Sequence, residues 1–516
     1  MHGQHLPVRT DVYQAEAVAN AAAELETADF SDILPECSRI SIGIFPSLAC
    51  TRPSCLIGIS SRTLKSTVSP IIPRIDEISE AFDRLKRMYI MQNENGVKTM
   101  GVRLYGANDI RFEEFTLPPY GEGEILLRVV SDSLCASTYK AVKQGTAHKR
   151  VPPDIAEKPI IIGHEMCGEV VGVGARLADK WKVGDRAVIQ PALKLESGYD
   201  PGYSYQTVGG STVYAVIPEI VIRRGCLIPY HGDSFFKGSL VECLACDLRG
   251  LKGLYHTDYE TYERYDDEKT GGKVAILGGA GPMGIGLVDL VVGRGRAKEI
   301  VVTDLNEERL DFARKSLSPA SAEKRGVKLN YVNTSGIDDV SKYLKELSGG
   351  GFDDVLVMVP VPALFTMAEE ICRTDGCINF FAGPPVHEMA GALNLYRVHY
   401  DGIHVVGTAG SIPSDMEEVI SYIEEDKIEP ACLVSHILGL RAVPDAIFAM
   451  EKPDGAKKVC YNELDIPLVA IADLPKLGES DPLYRALAEI VEKNGGVWCA
   501  EAESYLLANA PKIMKM

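Results

Sequence analysis

The sequence lacks an apolar run long enough to cross a bilayer: residues 40–61 come nearest, and Pro46, Arg52 and Pro53 interrupt them well short of the roughly 18 apolar residues a span needs. It is also short of positive charge. Its 54 Lys and Arg against 72 Asp and Glu leave a formal charge of −18, which disfavours nonspecific binding to nucleic acid or an anionic membrane, because both rely on cations to neutralise phosphate. Small-molecule chemistry fits better. Thirteen cysteines are present, but no spacing among them repeats. Several fall within expected strands and helices, so they read as reduced thiols of a cytoplasmic protein and not as a disulfide framework. Residues 37–75 contain no Asp or Glu. That stretch is rich in Ser and Pro but lacks the n-region and h-region of a secretory signal. It lies in a segment, 1–97, read as an extension outside the core. The segment is dispensable or reflects a mis-assigned start (Met88, Met91 or Met100 being alternatives), against a targeting role or an added helix through Ile75, Ile78, Phe82 and Leu85.

What is present suits an ordinary globular protein. With 46% hydrophobic and 24% charged residues over 516 positions, the chain can build two or three domains with substantial cores. From about 100 to 240, short β-rich runs are broken by Gly, Pro and Asp, as at Gly184-Asp185 and Asp200-Pro201-Gly202, which predicts a small barrel-like domain. From Lys273 to about Gly407 apolar runs at 274–277, 299–304, 329–332, 354–358, 377–381 and 403–406 alternate with helical stretches. Near-continuous apolar strands separated by helices predict a parallel sheet covered on both faces.

The segment Gly279-Ala280-Gly281-Pro282-Met283-Gly284 stands at the end of one such strand and the start of a helix. There the first glycine permits a tight turn, the second lets backbone approach a pyrophosphate, and the third lets helix pack on strand, while the helix N-terminus attracts phosphate charge. Asp304 follows twenty residues after Gly284, at the end of the next strand. Its carboxylate can accept both ribose hydroxyls and would repel a 2′-phosphate, so NAD(H) is favoured over NADP(H).

A second constellation points to a metal. Gly163-His164-Glu165 sets an imidazole beside a carboxylate, Cys135 lies upstream in Cys135-Ala136-Ser137, and Glu242 lies downstream. Thiolate and neutral imidazole are good donors to zinc, and a carboxylate limits the excess positive charge. Cys-x-Ser, then Gly-His-Glu-x-x-Gly, then Gly184-Asp185-Arg186 resemble the medium-chain zinc-dependent alcohol and polyol dehydrogenases.

That resemblance implies an α/β fold: a GroES-like β-barrel catalytic domain over 98–245 and 408–464, a Rossmann doubly wound parallel sheet over 246–407, a C-terminal helical tail over 465–516, and a homo-oligomer. It implies one catalytic zinc per subunit held by Cys135, His164 and Glu165, with Glu242 either as fourth ligand or hydrogen-bonded to a water in the open position. Ser137 would pass the alcohol proton onward, unless it is a helix N-cap or turn serine. Lys140 stands where relatives often end that relay with histidine, and Glu165 and Lys140 join Ser137 as the catalytic set. Arg309 matches a basic position near the adenosine, or is a solvated helical charge. Cys243 and Cys246 also read as a redox or zinc pair or as the start of a helix.

The four closely spaced cysteines that hold a structural zinc in many relatives are absent between Gly184 and Gly225. Residues 191–205, with 135–140, 147–151, 255–257 and the region of Trp498, resemble instead the L-sorbose 1-phosphate reductase branch. The implied reaction is reversible hydride transfer between nicotinamide and a ketose phosphate or polyol phosphate, L-sorbose 1-phosphate to glucitol 6-phosphate. An unphosphorylated polyol or secondary-alcohol dehydrogenase, and a non-catalytic NAD-binding protein of this fold, are the alternatives. His148, Lys149 and Arg150 form a cationic cluster in an acidic chain, which would grip the phosphate by charge-assisted hydrogen bonds or simply be a solvated loop.

Overall fold

The computed structural model describes residues 96–514 apart from 259, 385, 453 and 454, all within the unit Lys86–Met516. The expected helical face of Ile75, Ile78, Phe82 and Leu85 lies outside the described residues. Among the described residues no helix is long and apolar enough to cross a membrane.

Six parallel strands form one sheet in the order Lys328–Asn333, Glu299–Asp304, Lys273–Leu277, Phe352–Val357, Cys372–Phe380 and His404–Val406. Its central strands are apolar throughout because helices cover both faces: Val274, Ala275, Ile276 and Leu277 are all fully buried. Helices Pro282–Arg294 and Pro362–Ile371 are among the covering layer. Strand order reverses beside Lys273–Leu277, so a crevice opens at the carboxyl ends of these strands, where such sheets bind ligands.

The second assembly is antiparallel in most of its pairings. Ile125–Ser133 pairs with Met166–Val173, with Tyr214–Ile217 and with Lys457–Tyr461. Lys457–Tyr461 comes from far along the sequence, so the chain re-enters this sheet after the parallel one is finished. A three-stranded sheet of Val97–Gly106, Asp109–Leu117 and Ile160–Ile161 closes the side. The fold is thus α/β, with a doubly wound sheet beside a GroES-like barrel.

The last helices, Pro482–Lys493 and Ala500–Asn509, dock on the body, which gives Trp498 a role that its sequence context did not. Trp498 is fully buried, and its indole N–H donates to the Tyr461 hydroxyl at 2.8 Å. Glu503 accepts the backbone N–H groups of Phe235 and Phe236 at 2.7 and 2.8 Å. The tail thereby caps the short helix Phe235–Ser239, which leads directly into the helix that carries Glu242.

Candidate metal and cofactor site

Cys135, His164 and Glu165 each offer one donor atom, and these atoms lie within 4.8 Å of one another. Three elements bring them together. Cys135 is the residue before helix Ala136–Gln144, while His164 and Glu165 occupy the turn between Ile160–Ile161 and Met166–Val173. The Ser133 amide donates to the Glu165 carbonyl at 2.9 Å, which fixes the turn beside the helix start. Thr138, one turn into that helix, has its hydroxyl 3.1 Å from His164 Nδ1. That contact leaves Nε2 as the ring nitrogen facing the cluster, the usual way an outer partner orients a ligating imidazole.

The electrostatics of this volume fit a dication. Burial, reinforced by the Glu165 charge, pushes the Cys135 thiol up to about 12. Burial pulls His164 down to about 4, so the imidazole is neutral and free to ligate. Burial and then Glu165 push Glu242 up to about 8. A thiol and two carboxyls whose ionised forms repel one another are relieved together by a bound metal, with release of protons. The donor set and its spacing therefore suit zinc. Glu242 lies at the edge of this arrangement. It is outside the three-residue group, and its Oε1 accepts the Cys246 thiol at 3.7 Å.

Lys457, which carried no sequence signal, sits against Glu165 with its ammonium 2.6 and 2.5 Å from the two carboxylate oxygens. Both side chains are buried, 4% and 0% exposed. The ammonium overcomes the burial penalty and holds Glu165 below the ordinary carboxylate range. Cys243 and Cys246 lie inside helix Val241–Lys252 and do not join the donor group, so the helix reading of that pair is the one the structure gives.

Ser137 is not a helix cap, because the capping position is Cys135. Its hydroxyl is instead 2.9 Å from Cys135 Sγ, beside the cluster. Lys140 extends toward the other sheet: a Cβ added to Gly383 would lie 3.9 Å from its ammonium. His148 stacks on Tyr203 with ring centroids 5.8 Å apart, and Tyr203 lies 4.8 Å from the His164 ring. The cationic loop is thus two ring contacts from the donor cluster. Arg150, expected as a free cation, is already engaged by Asp200 at 3.0 Å and lies 4.9 Å above the Tyr203 ring. Lys149 is exposed and has no ion-pair partner among the described residues.

At the parallel sheet the glycine-rich turn differs by one residue from expectation. The positive φ of +69° falls on Gly278, not on Gly279. Gly281 precedes helix Pro282–Arg294 with open space where a Cβ would stand, while a Cβ on Gly284 would meet the Gly279 carbonyl oxygen at 2.1 Å. One glycine leaves room for an approaching phosphate and the other lets the helix seat on its strand. Met283 is partly buried against the core. Asp304 ends its strand, with Oδ1 accepting from Leu305 and Asn306 N–H and Oδ2 from Ala280 N–H at 3.2 Å. The carboxylate is therefore tied to the glycine loop. Arg309 lies in the first turn of the following helix, its amide capped by Asn306.

Comparison with known proteins agrees with this architecture. The alcohol dehydrogenase GroES-like domain matches residues 121–225, and the zinc-binding dehydrogenase domain matches residues 282–425. The chain is 42% identical to mannitol-1-phosphate 5-dehydrogenase of Aliivibrio fischeri, over 80% of this chain and 97% of the relative. It is 40% identical to L-sorbose 1-phosphate reductase of Klebsiella pneumoniae, over 80% and 98%. Among solved structures, 2R,3R-butanediol dehydrogenase of Bacillus subtilis superposes with a TM-score of 0.58 at 23% identity, covering 70% of this chain and 99% of that one. With two relatives matched almost end to end, and with donors and sheets arranged as above, the chain belongs to the zinc-dependent medium-chain dehydrogenases and is an oxidoreductase.

Proposed function

We propose that this oxidoreductase interconverts a ketose phosphate and a polyol phosphate with NAD(H), L-sorbose 1-phosphate and glucitol 6-phosphate being the favoured pair. The observation that carries the reading is the row of rings His148, Tyr203 and His164, which sets a cationic loop beside the donor cluster. The names of two relatives, one a reductase of a ketose phosphate and one a dehydrogenase of a polyol phosphate, support the same substrate class.

In this reading Cys135, His164 and Glu165 hold the zinc, and Glu242 borders it. Zinc bound there supplies a Lewis acid that stabilises negative charge on the reacting oxygen. Gly279, Gly281, Met283 and Gly284 receive the dinucleotide, with Asp304 at the ribose and Arg309 near the adenosine. Ser137 gives its hydroxyl proton to the oxygen during reduction. Lys140, three residues on along the same helix face, refills it from the cleft. We further read the protein as a cytoplasmic homo-oligomer. The edge strand His404–Val406 and helix Leu395–Tyr400 expose Leu395, Tyr396, Tyr400 and Val405, an apolar face that a second copy would cover.

The test is a panel of paired phosphorylated and free ketoses with NADH. Because Arg150 is committed to Asp200 and Tyr203, Lys149 is the cation left for the phosphate. Lys149→Ala should cost about 1.5–3 kcal/mol, roughly ten- to hundredfold in kcat/KM, on the phosphorylated ketose only. Equal losses on both substrates, or none on either, would remove this loop from the substrate site. Turnover of free ketoses alone would favour the unphosphorylated alternative.

Cofactor preference has its own test. A carboxylate at the ribose accepts two hydroxyls but repels a 2′-phosphate, so kcat/KM should be higher with NADH than with NADPH. Asp304→Asn removes the charge while keeping an acceptor for the Leu305, Asn306 or Ala280 amides. It should move the ratio toward NADPH by about tenfold, near 1.4 kcal/mol. A wild-type preference for NADPH would show that this strand end does not select the cofactor.

A further inference from the structure

Tyr203 is a fully buried residue of the loop 191–205 whose hydroxyl none of the roles above uses. Its hydroxyl is 3.2 Å from His164 Nε2, and Ser137 is a second hydrogen-bonding neighbour. We propose that Tyr203 is a further catalytic residue, whose phenolic hydroxyl donates a hydrogen bond to the reacting oxygen of the substrate and so orients its carbon for hydride transfer. The proposal rests on the reading of Cys135, His164 and Glu165 as the reacting centre, and is independent of whether the substrate carries phosphate.

The loop is built to hold this side chain in one place. Gly202 packs so closely on the turn that presents His164 that a Cβ there would stand 1.9 Å from the Gly163 carbonyl oxygen. Asp200 accepts the Leu193 amide at 2.9 Å and pairs with Arg150. The Ser204 hydroxyl donates to the Arg150 carbonyl at 2.6 Å. The guanidinium of Arg150 lies over one part of the phenol ring and the His148 ring stacks nearly parallel to it, at 10°. These contacts hold the ring in place and leave the hydroxyl at the donor cluster, 3.2 Å from His164 Nε2. A placement this constrained suits a group that must meet a reacting atom within a few tenths of an ångström.

The chemistry follows from the one acceptor the hydroxyl has on His164. In the tautomer whose Nδ1–H donates to the Thr138 hydroxyl, Nε2 carries the lone pair that a metal would take, and the phenol would then lose it as an acceptor. A buried O–H without an acceptor is costly. Ser137 remains as a hydrogen-bonding neighbour, and the oxygen of a substrate bound at the cluster would be the acceptor that replaces Nε2. The substrate oxygen gains negative charge as hydride arrives during reduction, so a hydrogen bond from Tyr203 strengthens in the transition state.

Tyr203→Phe keeps the ring and its stacking while deleting the hydroxyl. In the zinc-loaded enzyme we expect kcat/KM to fall about ten- to hundredfold, mainly through kcat, with the KM for NAD(H) and the zinc content unchanged. The loss should be the same factor on phosphorylated and free substrates. A readout independent of turnover is cobalt titration of the metal-free protein followed by visible absorption. With no phenol competing for Nε2, the Phe variant should saturate at equal or lower cobalt. Wild-type kcat/KM in the Phe variant overturns the proposal. So does loss of zinc or weaker cobalt binding, since Tyr203 would then only be propping up His164. If Lys149→Ala leaves phosphate selectivity untouched while Tyr203→Phe lowers kcat, the substrate assignment falls and the tyrosine assignment stands.

Discussion

His164→Ala is expected to lower kcat/KM by about three orders of magnitude or more and to abolish metal binding, while leaving NADH binding intact. The ring supplies one of three donors that lie within 4.8 Å of one another, and it ligates as a neutral group. Burial keeps it so by pulling its pKa to about 4, which means it ligates without first losing a proton. Removing it leaves a thiol pushed to about 12 beside a carboxylate already held by Lys457, a pair too weak to retain zinc at ordinary concentrations. Electrophilic stabilisation worth several kcal/mol is then lost, and about 4 kcal/mol corresponds to a thousandfold in rate. Cys135→Ser should behave alike. Elemental analysis should find one zinc per wild-type chain, because the four-cysteine cluster of many relatives is absent between Gly184 and Gly225. Dinucleotide binding, followed by NADH fluorescence, separates loss of metal from loss of fold, since Gly281 and Asp304 lie on the other sheet. Two zincs per chain, or a His164→Ala protein with wild-type kcat/KM, would refute the assignment.

The candidate donors that the fold brings together were legible in the sequence because zinc favours particular side chains, and His164 and Glu165 stand adjacent between an apolar run and a glycine-spaced strand. The parallel sheet was legible because strands buried on both faces must be apolar throughout, as at 274–277 and 299–304. Fine placement was less so. Gly278 and Gly279 are both glycine, so the sequence offers two candidates for the left-handed turn, and backbone geometry selects Gly278. Arg150 read as a free cation because local charge counting does not reveal Asp200, which the fold brings to 3.0 Å. Tyr203 gave no signal because its meaning depends on Gly202 seating against Gly163 across two loops. Lys457 was hidden most completely. Its partner Glu165 is 292 positions away, although two lysines in the otherwise apolar strand Lys457–Tyr461, both buried, are an anomaly that a search for buried charge would catch.

That buried pair gives the second large effect. Lys457→Met should destabilise the metal-free protein by about 3–5 kcal/mol, the cost of leaving one member of a buried ion pair without its counter-charge. The methionine fills the space of the lysine stem, so the loss is electrostatic and not a cavity effect. Glu165 then has its ammonium neighbour removed while Glu242 still borders it, the second carboxyl being already pushed up to about 8 by burial and by Glu165 itself. Relief comes from protonation or from metal. The sign of the pH dependence follows: in the wild type, Lys457 holds Glu165 below its ordinary range. That stability is present above the unfolded carboxylate pKa and is lost as pH falls through the lowered folded value. In Lys457→Met burial acts without the ammonium and the folded pKa rises. Stability should then be greatest at low pH and decline as pH climbs through the raised value. Zinc should restore the variant more than it stabilises the wild type, because the dication replaces the missing positive charge at the same carboxylate. Urea midpoints for both proteins between pH 5 and 8, with and without zinc, measure all three effects. A metal-free Lys457→Met protein within about 1 kcal/mol of wild type across that range would show that Glu165 is not held as a charged partner, and the ion pair would lose its place in positioning the donor cluster.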